Sequence, residues 1–549
     1  MNRITITFPD NTSIEAQNEI RAILFLDRFE NKEKIIACKV NNEIYSLDMP
    51  IMISSRVEPI YIDTREGANI YRRSLCFVLA ACAHKLFPDK RLLVGHSLAY
   101  GYYYTFDNYD ISEDELELLK KEMEKLISQD KVIDSKYISY KEACKLFESL
   151  HMTETRKQLN FRCPSKILVN TMDEFSDLYF EPLVYSTKIL KVFDLMKYQQ
   201  GFLLRFPKHQ EPHKLPEFID QPKLYTIYSH YKEWGKRLNV TSAASLNEMI
   251  HNRQINEYIN VTETLQMCCI SEIATQIFNR KTVKLVLIAG PSSSGKTTTS
   301  KKLALQLEAR GFKPKVISLD NYYIGRELTP KDEFGNYDYE CLEALNIPLL
   351  NENLIDLFNG KEVKIPSYNF NEGKSYYKAG NTMHLDESDI LVMEGIHGLN
   401  DKLTPLVPNE LKFKIYLSAL TQLNLDDHNR ISTSDNRLIR RIVRDSQFRG
   451  KSAADTIGMW ENVQKGERLH IFPFQNNADA MLNTALDYEL PVLKVYADPL
   501  LRCVNPSQKE YSEASRLLTF LNYFSSIPAT AVPDQSIIRE FIGGSAFKY

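Results

Sequence analysis

Short apolar runs separated by Asn- and Asp-bearing turns dominate the first part of the chain. Within residues 1–62, ITITF, IIACKV and PIYI have the length and β-branched content of strands. Over 63–200 the pattern is mixed. Tyr71–Phe87 predicts a buried helix closed by Pro88. Glu113–Gln129 predicts a charged amphipathic helix with Leu116, Leu119, Met123 and Leu126 on one face. Residues 201–282 read as a connector: the polar, Pro-containing FPKHQEPHKLPEF at 206–218 is a linker or surface loop, and 223–280 is helical. At 283 the run VKLVLIAG opens alternating strands and helices that continue to about 500, the pattern of a parallel α/β sheet. The tail, 501–549, predicts one helix, Ser512–Tyr523, followed by a Pro-punctuated segment. The expectation is a multidomain α+β and α/β chain with five segments.

Composition changes this picture little. At 549 residues the chain is too long for one core, and 43% apolar with 25% charged residues is ordinary for a soluble protein. A net charge of −3 provides no general attraction to nucleic acid or to an anionic membrane, so any basic site must be local. The cysteines (Cys38, Cys76, Cys82, Cys144, Cys163, Cys268, Cys269, Cys341 and Cys503) are scattered and include no C-x-x-C pair, which predicts buried reduced thiols. MNRITITFPD lacks a signal-peptide pattern, and the apolar run Leu75–Ala83 is about half of a membrane span. A cytoplasmic protein is expected.

The sharpest chemical signal is GPSSSGKT, Gly290–Thr297, between an apolar strand and a predicted helix, Thr298–Arg310. Glycines at both ends let the backbone curl its N–H groups onto phosphate oxygens, and the helix N-terminus adds partial positive charge. The expected nucleotide site is Gly290, Pro291, Ser292, Ser293, Ser294, Gly295, Lys296, Thr297 and Thr298. Lys296 would bridge the β- and γ-phosphates of ATP, and the Thr297 hydroxyl would meet Mg²⁺. A guanine-reading N-K-x-D is absent, and the D-x-x-G at Asp332–Gly335 has no apolar strand before it, so a GTPase is the weaker branch.

Further on, VISL ends in Asp320, followed by Asn321, Tyr322 and Tyr323. A carboxylate at the end of a parallel strand faces the ligand crevice and could take the proton of an attacking hydroxyl. DILVMEGI ends in Glu394, expected to anchor Mg²⁺, partly through water. In RLIRRIVRD, helical spacing places Arg437, Arg440, Arg441 and Arg444 on one stripe, opposite Leu438, Ile439, Ile442 and Val443, with Arg449 just beyond. Such a helix suits a lid over transferring phosphates.

With these motifs in this order, 283–500 resembles the uridine kinase and phosphoribulokinase family. The resemblance implies transfer of the ATP γ-phosphate to a sugar hydroxyl, with Asp320 as base and Lys296, Arg440, Arg441 and Arg444 at the phosphates. It places Asp338, Tyr368, Tyr323 and Arg437 at the acceptor. Departures from the family pattern are Tyr337-Asp338-Tyr339-Glu340 in place of F-D-H-P, Gly373 where a base-contacting histidine is common, and a long TQLNLDDHNRISTSDN before the lid.

Residues 1–62 resemble a TGS domain, implying a β-grasp-like fold. Residues 63–200 resemble the second N-terminal domain of threonyl-tRNA synthetase. Phe77, Ala81, Tyr179 and Leu183 fall where that domain carries its editing-site ligands, so a scaffold or binding surface is implied. His209 and His213 flank Pro212, which spoils a helical pair. The combined expectation is an ATP- and Mg²⁺-dependent nucleoside kinase, most simply for the 5′-hydroxyl of uridine or cytidine. Alternatives are another nucleoside or a sugar phosphate as acceptor, or a nucleotide-gated switch whose N-terminal half grips RNA or another ligand. A homo-oligomer is compatible with the sequence, and no membrane partner is expected.

Overall fold

The computed structural model describes residues 3–331, 335, 337–369 and 372–548. Asp332 of the D-x-x-G run lies outside them. The chain forms two compact units that are interleaved in sequence. One comprises Met1–Arg253, Gln422–Ser432 and Asp498–Ser526; the other comprises Gln254–Thr421, Thr433–Ala497 and Ile527–Tyr549. Parts of the stretches expected as kinase domain and tail therefore pack with the N-terminal half.

The N-terminal unit opens on a five-stranded sheet among the described residues. Its order is Ser13–Gln17, Arg3–Thr7, Ser55–Tyr61, Ile35–Val40, Glu43–Tyr45, with the first and last long strands parallel at its centre. Alternation puts Ile4, Ile6, Val40 and Val57 into one core with Phe8 and Phe25. The long helix Arg65–Leu86, capped by the Thr64 hydroxyl on the Gly67 amide, then packs near a four-stranded antiparallel sheet spanning 92–106 and 194–205. Its apolar length matches the predicted helix, and it begins earlier because Thr64 supplies the cap. Glu113–Ser128 forms with a Ser112/Glu115 capping box.

Phe77, Ala81, Tyr179 and Leu183 are all core residues, the Phe77 ring lying 5.6 Å from Phe175 and 6.0 Å from Tyr179. The Tyr179 phenol is pushed well up by burial. Phe77, Ala81 and Leu183 fill this space with carbon, and Tyr179 adds a ring with a buried hydroxyl.

The second unit is built around a five-stranded, all-parallel sheet among the described residues. Its order is Lys313–Ser318, Asp389–Glu394, Leu285–Ala289, Lys412–Ser418, Ala480–Asn483. Successive residues of the central strand face opposite layers. Val286 and Ile288 meet Ile270, Ile273, Ile277, Leu303 and Leu307, while Leu285 and Leu287 meet Leu350, Leu354 and Leu357. A strand covered on both faces must be apolar throughout, which is why VKLVLIAG lacks polar alternation. The nine cysteines are free, but Cys163, Cys268 and Cys503 are exposed, so the expectation of buried thiols holds for only some of them. Among the described residues no helix is long and apolar enough to cross a membrane.

Candidate active site

The loop Gly290–Gly295 leaves the central strand at its C-terminal end and enters the helix Lys296–Glu308. Gly295 sits at φ +79° with Ile537 Cγ2 only 2.6 Å from where a Cβ would project, so both backbone and space demand glycine there. Lys296 Nζ donates to the carbonyls of Gly290 (3.0 Å) and Pro291 (3.2 Å). The Thr297 hydroxyl donates to Glu394 at 3.3 Å.

Glu394 ends its strand, and Asp320 follows the end of the neighbouring one, in the turn Leu319–Tyr322. Glu394 lies close enough to feel the charge of Asp320. Burial, then the charge of Asp320, lifts Glu394 to about 7, with Lys296 opposing. Burial also raises Asp320, opposed by Lys296, Arg449 and Arg444. Thus Lys296, Thr297, Asp320 and Glu394 converge at the C-terminal edge of the sheet, where ligands bind in open α/β folds. A buried acid, Glu394, and a part-buried one, Asp320, beside a threonine hydroxyl suit a divalent cation, which would lower the cost of holding both ionised. Among the described residues no group of three or more His, Cys, Asp or Glu forms a ready-made metal cage, so such an ion would need phosphate oxygens or water as well.

The arginine helix, Thr433–Arg449, turns its stripe inward. Arg437 pairs with Glu467, one bond being 2.7 Å, and donates to the Ser292 carbonyl at 3.2 Å beneath the Trp460 ring. Arg440 is fully buried. It pairs with Glu489 and donates to the carbonyls of Ser293 (3.1 Å) and Thr484 (2.8 Å). Both brace the Gly290–Gly295 loop from behind, unlike a stripe open to the cleft. Their partners, Glu467 and Glu489, lie 30 and 49 residues away in sequence, so spacing alone could not reveal the pairing. Arg441 donates to Ser292 Oγ at 2.8 Å. Arg441, Arg444 and Arg449 gather round Asp445, whose carboxyl they hold below the usual range despite its burial.

Among the residues expected at the acceptor, the Tyr323 and Tyr368 rings lie 5.5 Å apart, and Tyr323 donates to the Tyr339 carbonyl at 3.1 Å. Burial and then Asp320 push the Tyr323 phenol well up. Asp338 accepts from the Glu340 amide at 3.0 Å, so one carboxylate oxygen is committed locally. Glu340, one of the departures from the family pattern, is raised to about 7 by burial and by Glu467, against the pull of Arg441 and Lys296. Gly373 has φ +68°, and the Arg326 side chain lies 2.7 Å from where its Cβ would project. Arg326 thus occupies the space beside Gly373, and its charge reaches Tyr368. Sequence reasoning missed Glu340, Glu467, Glu489, Asp445 and Arg326. The break from F-D-H-P was the only signal, and it concerned Glu340 alone.

Residues 285–490 match the model of the phosphoribulokinase / uridine kinase family. The uridine kinase of Staphylococcus aureus (strain JH9) is 30% identical over 183 residues, 33% of this chain and 78% of that enzyme. The chain belongs to the phosphoribulokinase / uridine kinase family.

The N-terminal region is similar to a different protein. The threonine–tRNA ligase of Ehrlichia chaffeensis is 32% identical over 176 residues, 31% of this chain. The chain spans only 28% of that ligase, so the family segment and the ligase-like segment are fused in one polypeptide. A solved structure described as a possible uridine kinase of Bacillus stearothermophilus is 18% identical, covering 37% of this chain and 89% of that one, with a TM-score of 0.24. That score is too low to add to the assignment.

Proposed function

We propose that this protein transfers the γ-phosphate of ATP to the hydroxyl of a small acceptor, a nucleoside such as uridine or cytidine being the reading favoured here. The convergence of Lys296, Thr297, Asp320 and Glu394 at one edge of the parallel sheet carries it. Asp320 takes the acceptor's proton as its oxygen bonds to the γ-phosphorus, and the bond to the bridging oxygen of the departing ADP breaks. Lys296 steadies the phosphate chain, while Arg441, Arg444 and Arg449 offset negative charge in the transition state. Thr297 and Glu394 would hold Mg²⁺, which supplies charge neutralisation on the phosphates. Tyr323, Tyr368 and Asp338 would position the acceptor. Arg437 is given to Glu467, which weighs against a role in gripping an acceptor phosphate and so against a sugar phosphate.

The N-terminal 1–62 segment is read as β-grasp-like, its strand order supporting a TGS relation, and 63–200 as a ligase-derived scaffold. The test is acceptor-dependent ATP consumption across nucleosides and pentose phosphates, with Asp320→Asn alongside. The expected outcome is turnover only with an acceptor, lowered about 10²–10⁴-fold in the variant with ATP binding kept. Turnover without an acceptor, or an unimpaired Asp320→Asn, defeats the proposal.

A further inference from the structure

The C-terminal segment lies against the same loop. Within the second unit, Glu540 Oε2 accepts from both the Thr298 amide (3.1 Å) and the Thr298 hydroxyl (2.7 Å). Thr298 is in the first turn of the helix that follows the phosphate loop, where the N–H groups point outward for an anion. Ile537 abuts Gly295, and the Phe541 ring lies 5.1 Å from the Arg440 guanidinium. Ile537, Ile538 and Phe541 are buried, and Arg539 ties the segment to itself through the Ala529 (2.9 Å) and Val532 (2.6 Å) carbonyls. The tail is thus anchored by apolar side chains and delivers one charged group to the loop.

We propose that Glu540 is a built-in anionic competitor for nucleotide: its carboxylate occupies donors on Thr298 that a nucleoside phosphate needs, and it must yield before a triphosphate seats fully. The inference rests on reading Gly290–Thr297 as the nucleotide loop. An ordinary helix cap also places an acid at an N-terminus. A cap, however, does not share its donors with a ligand, and the two roles predict opposite effects on affinity. The anchors Ile537 and Phe541 keep the segment docked while the carboxylate turns aside, so the device tunes phosphate affinity and leaves the base-binding surface alone.

The test is equilibrium titration of the full-length protein with ATP and, separately, with adenosine. Wild type is compared with Glu540→Gln and Glu540→Ala, and each background is repeated with Lys296→Ala. Losing a charge-assisted competitor raises ATP affinity about tenfold in both Glu540 variants and leaves adenosine affinity unchanged. Equal or weaker ATP binding by both variants, with binding still abolished by Lys296→Ala, overturns the competitor while the loop reading stands. ATP binding that survives Lys296→Ala, or no ATP binding at all, overturns both.

Discussion

At the scale of single residues, the site is organised by acids that hold arginines in place. Arg440 has no exposed surface, and its guanidinium is matched by Glu489 and by the Ser293 and Thr484 carbonyls. Burial raises Glu489, while Arg440 and Asn436 counter it. Removing Arg440 alone strands a buried carboxylate. Arg440→Ala is therefore expected to lose about 3–5 kcal/mol of stability in urea denaturation, whereas Arg440→Met combined with Glu489→Leu recovers most of it. A single variant as stable as wild type would show that the pair does not brace the loop. The positions of Lys296, Thr297, Asp320 and Glu394 were legible because each closes a strand or opens a helix within a few residues of a recognisable apolar run. The partners of the arginines were not legible, since an ion pair formed across tertiary structure has no sequence spacing to betray it.

At the scale of elements, helices came out close to the expected spans wherever a hydrophobic stripe was backed by a cap, as in Glu113–Ser128. The arginine helix shows where amphipathicity runs out. Its basic stripe was readable as a face, but periodicity cannot distinguish a face turned to a cleft from one turned to buried acids. The long stretch before that helix has its own structure. Within the N-terminal unit, Asp427 accepts from Arg91 Nε at 2.6 Å and from the amides of Glu154 (3.0 Å) and Thr155 (3.2 Å), capping the short helix Thr153–Gln158. His428 pairs with Asp177 at 2.8 Å, and that charge raises the imidazole despite burial.

Beside them Asp426 accepts from the amides of His428 (3.1 Å) and Asn429 (2.8 Å) and is raised to about 7, by burial first and then by the charge of Asp177. An acid raised in the folded state binds a proton there that the unfolded chain has released. Its contribution is thus complete below about pH 4, declines as pH rises toward 7, and is gone above that. Asp426→Asn should keep the Oδ1 bonds and lose this decline, so its thermal stability between pH 5 and 8 should be flatter than wild type and no lower at pH 8. A parallel pair of curves would reject the assignment.

At the scale of the whole molecule, the units are interleaved because late segments complete the early core. Gln158 and Asn247 donate to the Tyr523 carbonyl at 2.6 and 2.8 Å, and the Phe180 ring lies 5.9 Å from Tyr523. Residues 1–253 alone would lack Asp427 at the Thr153–Gln158 helix, the His428 partner of Asp177, and the contacts of Phe520 and Tyr523 with Phe180. That fragment is expected to show no cooperative thermal transition and weak near-ultraviolet dichroism, whereas the full chain shows both; a cooperative melt of the fragment would count against this account.

Local chemistry was enough to set the parallel sheet, the glycine-bounded loop between strand and helix, the strand-ending acids and the family to which residues 285–490 belong, because each is written in neighbouring residues. Tertiary structure alone decided which arginines face the loop from behind, which acids neutralise them, that Glu540 reaches Thr298, and that late segments finish the N-terminal core. Those outcomes depend on groups tens to hundreds of residues apart being driven together by burial, and burial leaves no periodic trace of its partner.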